Sequence, residues 1–352
     1  MRRMGHRYFF TLLALVSVGS LAVSQSTLPN MRLHALVTQG IDLTWQGQYR
    51  RADSMFQEVI REFPDHPAGY VYKAGVMQSA AIDHEIPVDR AMFDSVLSLA
   101  DEKAETLARS GPDAKWGHFF LGTIRGFESY AHVYRGDWMT GAMRGLSSVS
   151  EFKKAIELDS SLGDAYAGIG AFYYWRSRKT ENFNWLPFVG DDRPEAFTFL
   201  TRTIDSGVYN KQTALSMLGS IYADAGEYEK AVACFQEGCA RYPMNQTYLW
   251  GLATSLKKLG KSHAALGAYR DLLHSIVSDE ENNHYNEIVC LLDMSKVCLG
   301  IADSAAAKAQ LTSILKLRET SFPVSLQSRA RQKFGEADQL LKKLNGNRAS
   351  NE

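Results

Sequence analysis

Three arginines, Arg176, Arg178 and Arg193, share the stretch YYWRSRKTENFNWLPFVGDDR at 173–193 with Trp175, Trp185, Asp191 and Asp192. A guanidinium grips a carboxylate or phosphate through paired N–H donors, and an indole offers a wall for a ring or a cation. Arginine and tryptophan are also the residues most enriched where binding energy concentrates. Tyr130, Tyr134, Arg135, Trp138 and Arg144 fall close enough in the chain to extend such a site. A second reading is purely structural. Trp185-Leu186-Pro187-Phe188 would plug the ends of neighbouring helices while the arginines pair with Asp191 and Asp192.

Other residues with chemical potential do not converge. Asp83, His84 and Glu85 are consecutive, and consecutive residues on a helix point in different directions, so they make no ligand set. His118 and His132 lie too far apart along one helix to share an ion. There is no nucleophile elbow, no phosphate loop with its lysine and no HExxH. Cys234 and Cys239 share one helical stretch and Cys290 and Cys298 another. Eight helical residues rise about 12 Å, whereas a disulfide needs Cα atoms within about 7 Å, so all four read as buried small hydrophobes. No catalytic residue, metal or cofactor is expected.

The chain opens with Arg2, Arg3 and Arg7, an apolar run from Tyr8 to about Val18, and small residues ending at Ser24. That order is the layout of a secretory signal peptide over 1–24, cleaved after Ser24, which predicts export, most simply to a bacterial periplasm. Removing those three of the 39 basic residues leaves 36 against 39 acidic ones, a net charge of −3. Such a balance gives no electrostatic reason to expect nucleic acid or an anionic membrane surface.

What must position the arginine segment is a series of helical hairpins. In residues 212–245, Leu215, Leu218, Gly219 and Tyr222 share one helix face, Gly226 and Tyr228 make a turn, Ala231 and Phe235 face inward from a second helix, and Pro243 ends it. Residues 246–279 repeat the pattern through Leu249, Ala253, Gly260, Ala265 and Tyr269, and residues 33–66 through Leu36, Gly40, Gly47, Ala52, Phe56 and Pro64. These units resemble the tetratricopeptide repeat, which implies an all-α fold, a right-handed solenoid of stacked antiparallel hairpins. No stretch alternates with period two long enough for a sheet. The units at 67–114, 115–162 and 163–211 are 48, 48 and 49 residues long, against 34 in the regular ones. In 115–162 the small residue and the inward aromatic, Gly122 and Phe152, stand 30 apart, against 16 for Gly219 and Phe235. Three consecutive hairpins that lengthen at their turns push material out along one edge, so the arginine segment belongs to a shared accessory lobe. Residues 25–320 read as the solenoid, 321–345 as an amphipathic capping helix and 346–352 as a disordered tail.

The resemblance also implies a concave face, lined by the first helix of each hairpin, where peptides or helices bind. Its candidates here include Trp45, Phe119, Tyr174, Trp250, Lys257 and Lys258. Relatives that clamp chaperone tails use lysine, asparagine and arginine on this face, and only Lys257 and Lys258 come near that pattern. The expectation is therefore a non-catalytic exported adaptor that binds a protein or peptide in a mixed apolar groove. The alternatives are a receptor for a small anionic or glycan ligand built on the lobe residues Trp138, Trp175, Arg176, Arg178, Trp185, Asp191 and Arg193, and an outer-membrane assembly component.

Overall fold

The computed structural model describes residues 25–109, 111–181 and 190–349. The expected leader and Trp185 lie outside them. Fifteen α-helices and no strand make up the described residues. The first hairpin is α1 (Met31–Trp45) and α2 (Tyr49–Glu62). Three longer units follow: α3 (Ala68–Asp83) with α4 (Arg90–Ala108), α5 (Ala114–Tyr134) with α6 (Trp138–Leu158), and α7 (Tyr166–Thr180) with α8 (Arg193–Ser206). Then come α9 (Lys211–Asp224) with α10 (Tyr228–Arg241), α11 (Gln246–Lys258) with α12 (Ser262–Ser278), α13 (Tyr285–Gly300) with α14 (Ser304–Lys316), and α15 (Val324–Ala349).

Local sequence accounts for the hairpins. Gly47, Gly136, Gly226 and Gly260 turn the chain at φ between 71° and 82°, a region that costs a side chain dearly. Asn30, Asp89, Asp137, Asn245 and Asp303 cap the following helices through their side chains. Between the two arms a phenylalanine ring lies on a glycine. A Cβ on Gly40, Gly122 or Gly219 would sit 2.4, 2.7 or 2.8 Å from Phe56, Phe152 or Phe235. The same ring fixes the next unit, since a Cβ on Gly168 would meet Phe152 at 2.2 Å and one on Gly251 would meet Phe235 at 2.4 Å. Each phenylalanine thus joins two hairpins, and a contiguous apolar core runs from Leu28 to Tyr209.

Extra length takes different forms. Helices α5 and α6 have 21 residues each, against 14 in α9 and α10, about two more turns per arm. Between α7 and α8 the addition lies in the connection. At the far end stands the single helix α15, Val324–Ala349. Among the described residues no helix is long and apolar enough to cross a membrane.

The stack coils until its start meets its later units. Tyr209 Oη receives the Leu28 N–H at 2.9 Å and lies 2.6 Å from His34 Nδ1. Tyr242 donates to Asp42 at 2.6 Å, and Asn245 donates to the Trp45 carbonyl at 2.9 Å. The Trp45 ring stacks on Tyr248 with centroids 5.3 Å apart. Arg50 reaches Glu281 at 2.7 Å. These contacts span some 170 to 230 positions of sequence and close the concave side.

Candidate functional site

Closure turns the concave side into a chamber of about 670 Å³. Its wall comes mainly from the first helices of five hairpins and the beginning of α11: Ile41 and Trp45 on α1, Tyr72, Gly75 and Ser79 on α3, Thr123, Gly126 and Phe127 on α5, Ala171 and Trp175 on α7, Thr213 and Met217 on α9, and Thr247, with Phe56 of α2 and Gly145 and Phe152 of α6 behind them. Among the described lining residues there is no Lys, Arg or His, and Asp83 is the one carboxyl. Burial pushes the Asp83 carboxyl up to about 6, against the pull of a hydrogen bond from Tyr49 and of His84.

The Asp83-His84-Glu85 triplet is a clasp. Asp83 bonds Tyr49 of α2, His84 Nε2 lies 2.8 Å from Asp279 beyond α12, and Glu85 pairs with Arg329 of α15 at 2.7 Å. Asn286 and Asn283 donate to the Asp83 and His84 carbonyls, each at 2.6 Å. Burial lowers the His84 pKa, but the hydrogen bond and charge of Asp279, helped by Asp83 and Glu281, leave it raised. His118 and His132 bond separate acids, Glu151 at 2.7 Å and Asp137 at 2.9 Å.

The lobe arginines are all engaged with carboxylates. Arg176 pairs with Asp192 and lies over the Phe172 and Tyr173 rings. Arg178 reaches Asp224 at 2.8 Å and also Glu181. Arg193 holds Asp191 at 2.6 Å, and that bond keeps the Asp191 carboxyl below its ordinary range. These pairs tie the end of α7 to the start of α8 and the end of α9. The arrangement leaves the three charges compensated.

The expected concave-face residues separate. Trp45 and Trp175 line the chamber. Phe119 is buried among Trp116, Phe120 and Phe152, and Tyr174 is buried with its hydroxyl on Asp224 at 2.7 Å, so neither meets a ligand from an open face. The cause is packing within the α5–α6 hairpin for Phe119, whose neighbours Trp116, Phe120 and Phe152 belong to it, and the α8–α9 packing for Tyr174. Trp250 packs on Tyr269, and Lys257 bonds Asp293 at 3.0 Å, both away from the chamber, while Lys258 is exposed. All four cysteines are free thiols. Cys290 and Cys298 are buried, and Cys234 and Cys239 half-buried with their thiols pushed by burial up to about 11.

A second surface stands outside the chamber. Helix α6 packs Gly141 and Gly145 against α5 and α7. Its opposite face presents Met139, Met143 and Leu146, exposed by 78%, 66% and 52%. Tyr134 and Trp138 are exposed at the tip of the same hairpin, with the Lys179 ammonium 5.0 Å over the Trp138 ring. The i, i+4, i+7 spacing of the stripe is visible in the sequence, but its exposure is not, because an inward stripe reads the same way.

Comparison with known proteins bears on the repeat. The sequence pattern of the tetratricopeptide repeat matches residues 34–66 and 212–245. No protein of curated function matches the chain. Among solved structures, the C-terminal part of a TPR repeat-containing protein from Cytophaga hutchinsonii is similar at 16% identity, covering 84% of this chain and 98% of that one with a TM-score of 0.45. A thermophilic TPR protein of Thermus thermophilus is 16% identical over 64% of this chain and 98% of that one, TM-score 0.42. The pilus biogenesis factor PilW is 13% identical over 85% of this chain and 98% of that one, TM-score 0.38.

Proposed function

The chain is a tetratricopeptide-repeat protein, and from that premise we propose that it is an exported, non-catalytic scaffold whose protein partner docks on the outer face of α6. Repeats of this kind form protein-interaction scaffolds, which supplies the class of partner. The observation that carries the surface is the Met139-Met143-Leu146 stripe. A helix that is apolar on two opposite faces is ordinarily covered on both, and large exposed apolar patches mark interaction sites. Methionine suits such a face because its flexible thioether adapts to the partner. The partner is accordingly a protein that presents an apolar helix or strand. Export rests on the basic, apolar and small segments of residues 1–24. Against a small anionic ligand at the lobe stand the carboxylates already on Arg176, Arg178 and Arg193.

A photoreactive amino acid placed at Met143, beside a control at Lys308, identifies the partner in envelope preparations. The purified partner is then titrated against wild type and Met143→Glu. Losing a buried methionine contact predicts about ten-fold or more weaker binding with unchanged melting. Equal affinities overturn the reading. A dimer of this chain that Met143→Glu dissociates assigns the stripe to a second copy instead.

A further inference from the structure

The chamber is unused by that reading, and two glycines within it lack a packing reason. Gly75 stands mid-way along α3 and Gly126 within α5, where glycine is the least favourable residue after proline. Glycines such as Gly40, Gly122 and Gly219 earn their place beneath a phenylalanine ring. A Cβ on Gly75 would have only Phe127 Cζ within 4 Å, at 3.5 Å, and one on Gly126 only Ser148 Oγ, also at 3.5 Å. Both are ordinary contacts with open space around them. Both positions line the chamber, so the missing side chains leave volume and no helix contact needs them missing.

Tyr72 adds an aromatic face to the wall: its ring stacks on Phe56, while its hydroxyl is buried in the core. Among the described residues the wall offers no cation to an anionic group. At the opening, Ile82, Tyr130 and Trp175 line the chamber and are also exposed, by 47%, 44% and 42%, which gives an apolar rim.

We propose that the chamber holds one uncharged, mainly apolar small molecule, a neutral amphiphile such as a long-chain alcohol or ester. The volume of about 670 Å³ falls among small-molecule sites, which span about 300–1,000 Å³. The site is separate from the outer face of α6, and Met143→Glu leaves it intact.

The test titrates the neutral dye N-phenyl-1-naphthylamine into the purified chain and displaces it with dodecanol or dodecanoate. The dye binds, dodecanol displaces it, and dodecanoate competes at least about ten-fold less well, because its charge finds no partner. Gly75→Leu with Gly126→Leu fills the space and loses dye binding about ten-fold or more while the melt stays at or above wild type. If that variant melts early, Gly75→Ala with Gly126→Ala is read in its place, with about a two- to three-fold loss expected. No dye binding by wild type, or full binding by a folded filled variant, overturns the proposal. Displacement by an apolar peptide but not by dodecanol overturns it too and assigns the chamber to protein.

Discussion

Ala302 holds φ at 60° at the hairpin turn where Gly47, Gly136, Gly226 and Gly260 stand in other units. The left-handed region costs a side chain about 1–2 kcal/mol, part of which glycine returns through its freer unfolded chain. Ala302→Gly should therefore raise stability by about 0.5–1 kcal/mol, read as a higher melting temperature. Phe235 shows the opposite sensitivity. Its ring lies against both Gly219 and Gly251, so Phe235→Ala leaves a void at two hairpin joints and should cost about 3–5 kcal/mol in denaturant unfolding. The pairing of Gly219 with Phe235 is legible from their spacing within one unit. That of Gly251 with Phe235 depends on how units stack.

At the scale of elements, the clasp after α3 carries a pH dependence whose sign can be worked out. Asp83 holds its proton up to about 6 in the fold, while an unfolded carboxyl releases it near 3.9. The folded state binds more protons between those values, so stability falls as pH rises through that window. The raised pKa of His84 contributes stability that is complete below the ordinary histidine value and lost as pH rises past the folded one. Both groups weaken the clasp toward alkaline pH. Asp279 and Glu281 face His84, and Arg50 faces Glu281. Wild type should melt lower at pH 8.5 than at pH 5, and Asp83→Asn with His84→Gln should flatten that difference; an unchanged slope would place the pH dependence elsewhere. The Arg329–Glu85 pair, with both side chains two-fifths exposed, adds at most about 1 kcal/mol.

For the whole molecule, the decisive event is the meeting of the first hairpin with residues 209–281. Units of a solenoid depend mainly on their neighbours, so closure can fail while the hairpins survive. Trp45→Ala with Asn245→Ala removes the stack on Tyr248 and the bond to the Trp45 carbonyl. This variant should keep its helical circular dichroism, increase its radius of gyration in small-angle scattering and lose dye binding in the chamber. A lower melting temperature at unchanged dimensions would mean that other contacts hold the coil closed.

Helix periodicity, the glycine turns and the glycine-phenylalanine pairs within a unit are local, and the sequence alone determined them, because each depends on residues within about one hairpin. It likewise set out both roles open to Arg176, Arg178 and Arg193, ligand site or brace. Only the tertiary structure supplied the carboxylates that pair with them, since Asp224 arrives from another unit and Asp191 and Asp192 from the far side of the connection. It also decided that Phe119 and Tyr174 are core, that Asp83, His84 and Glu85 serve three different elements, and that the groove is a chamber. Small rotations between successive hairpins accumulate over the stack. Where its first unit returns is a sum over every interface, written in no single motif.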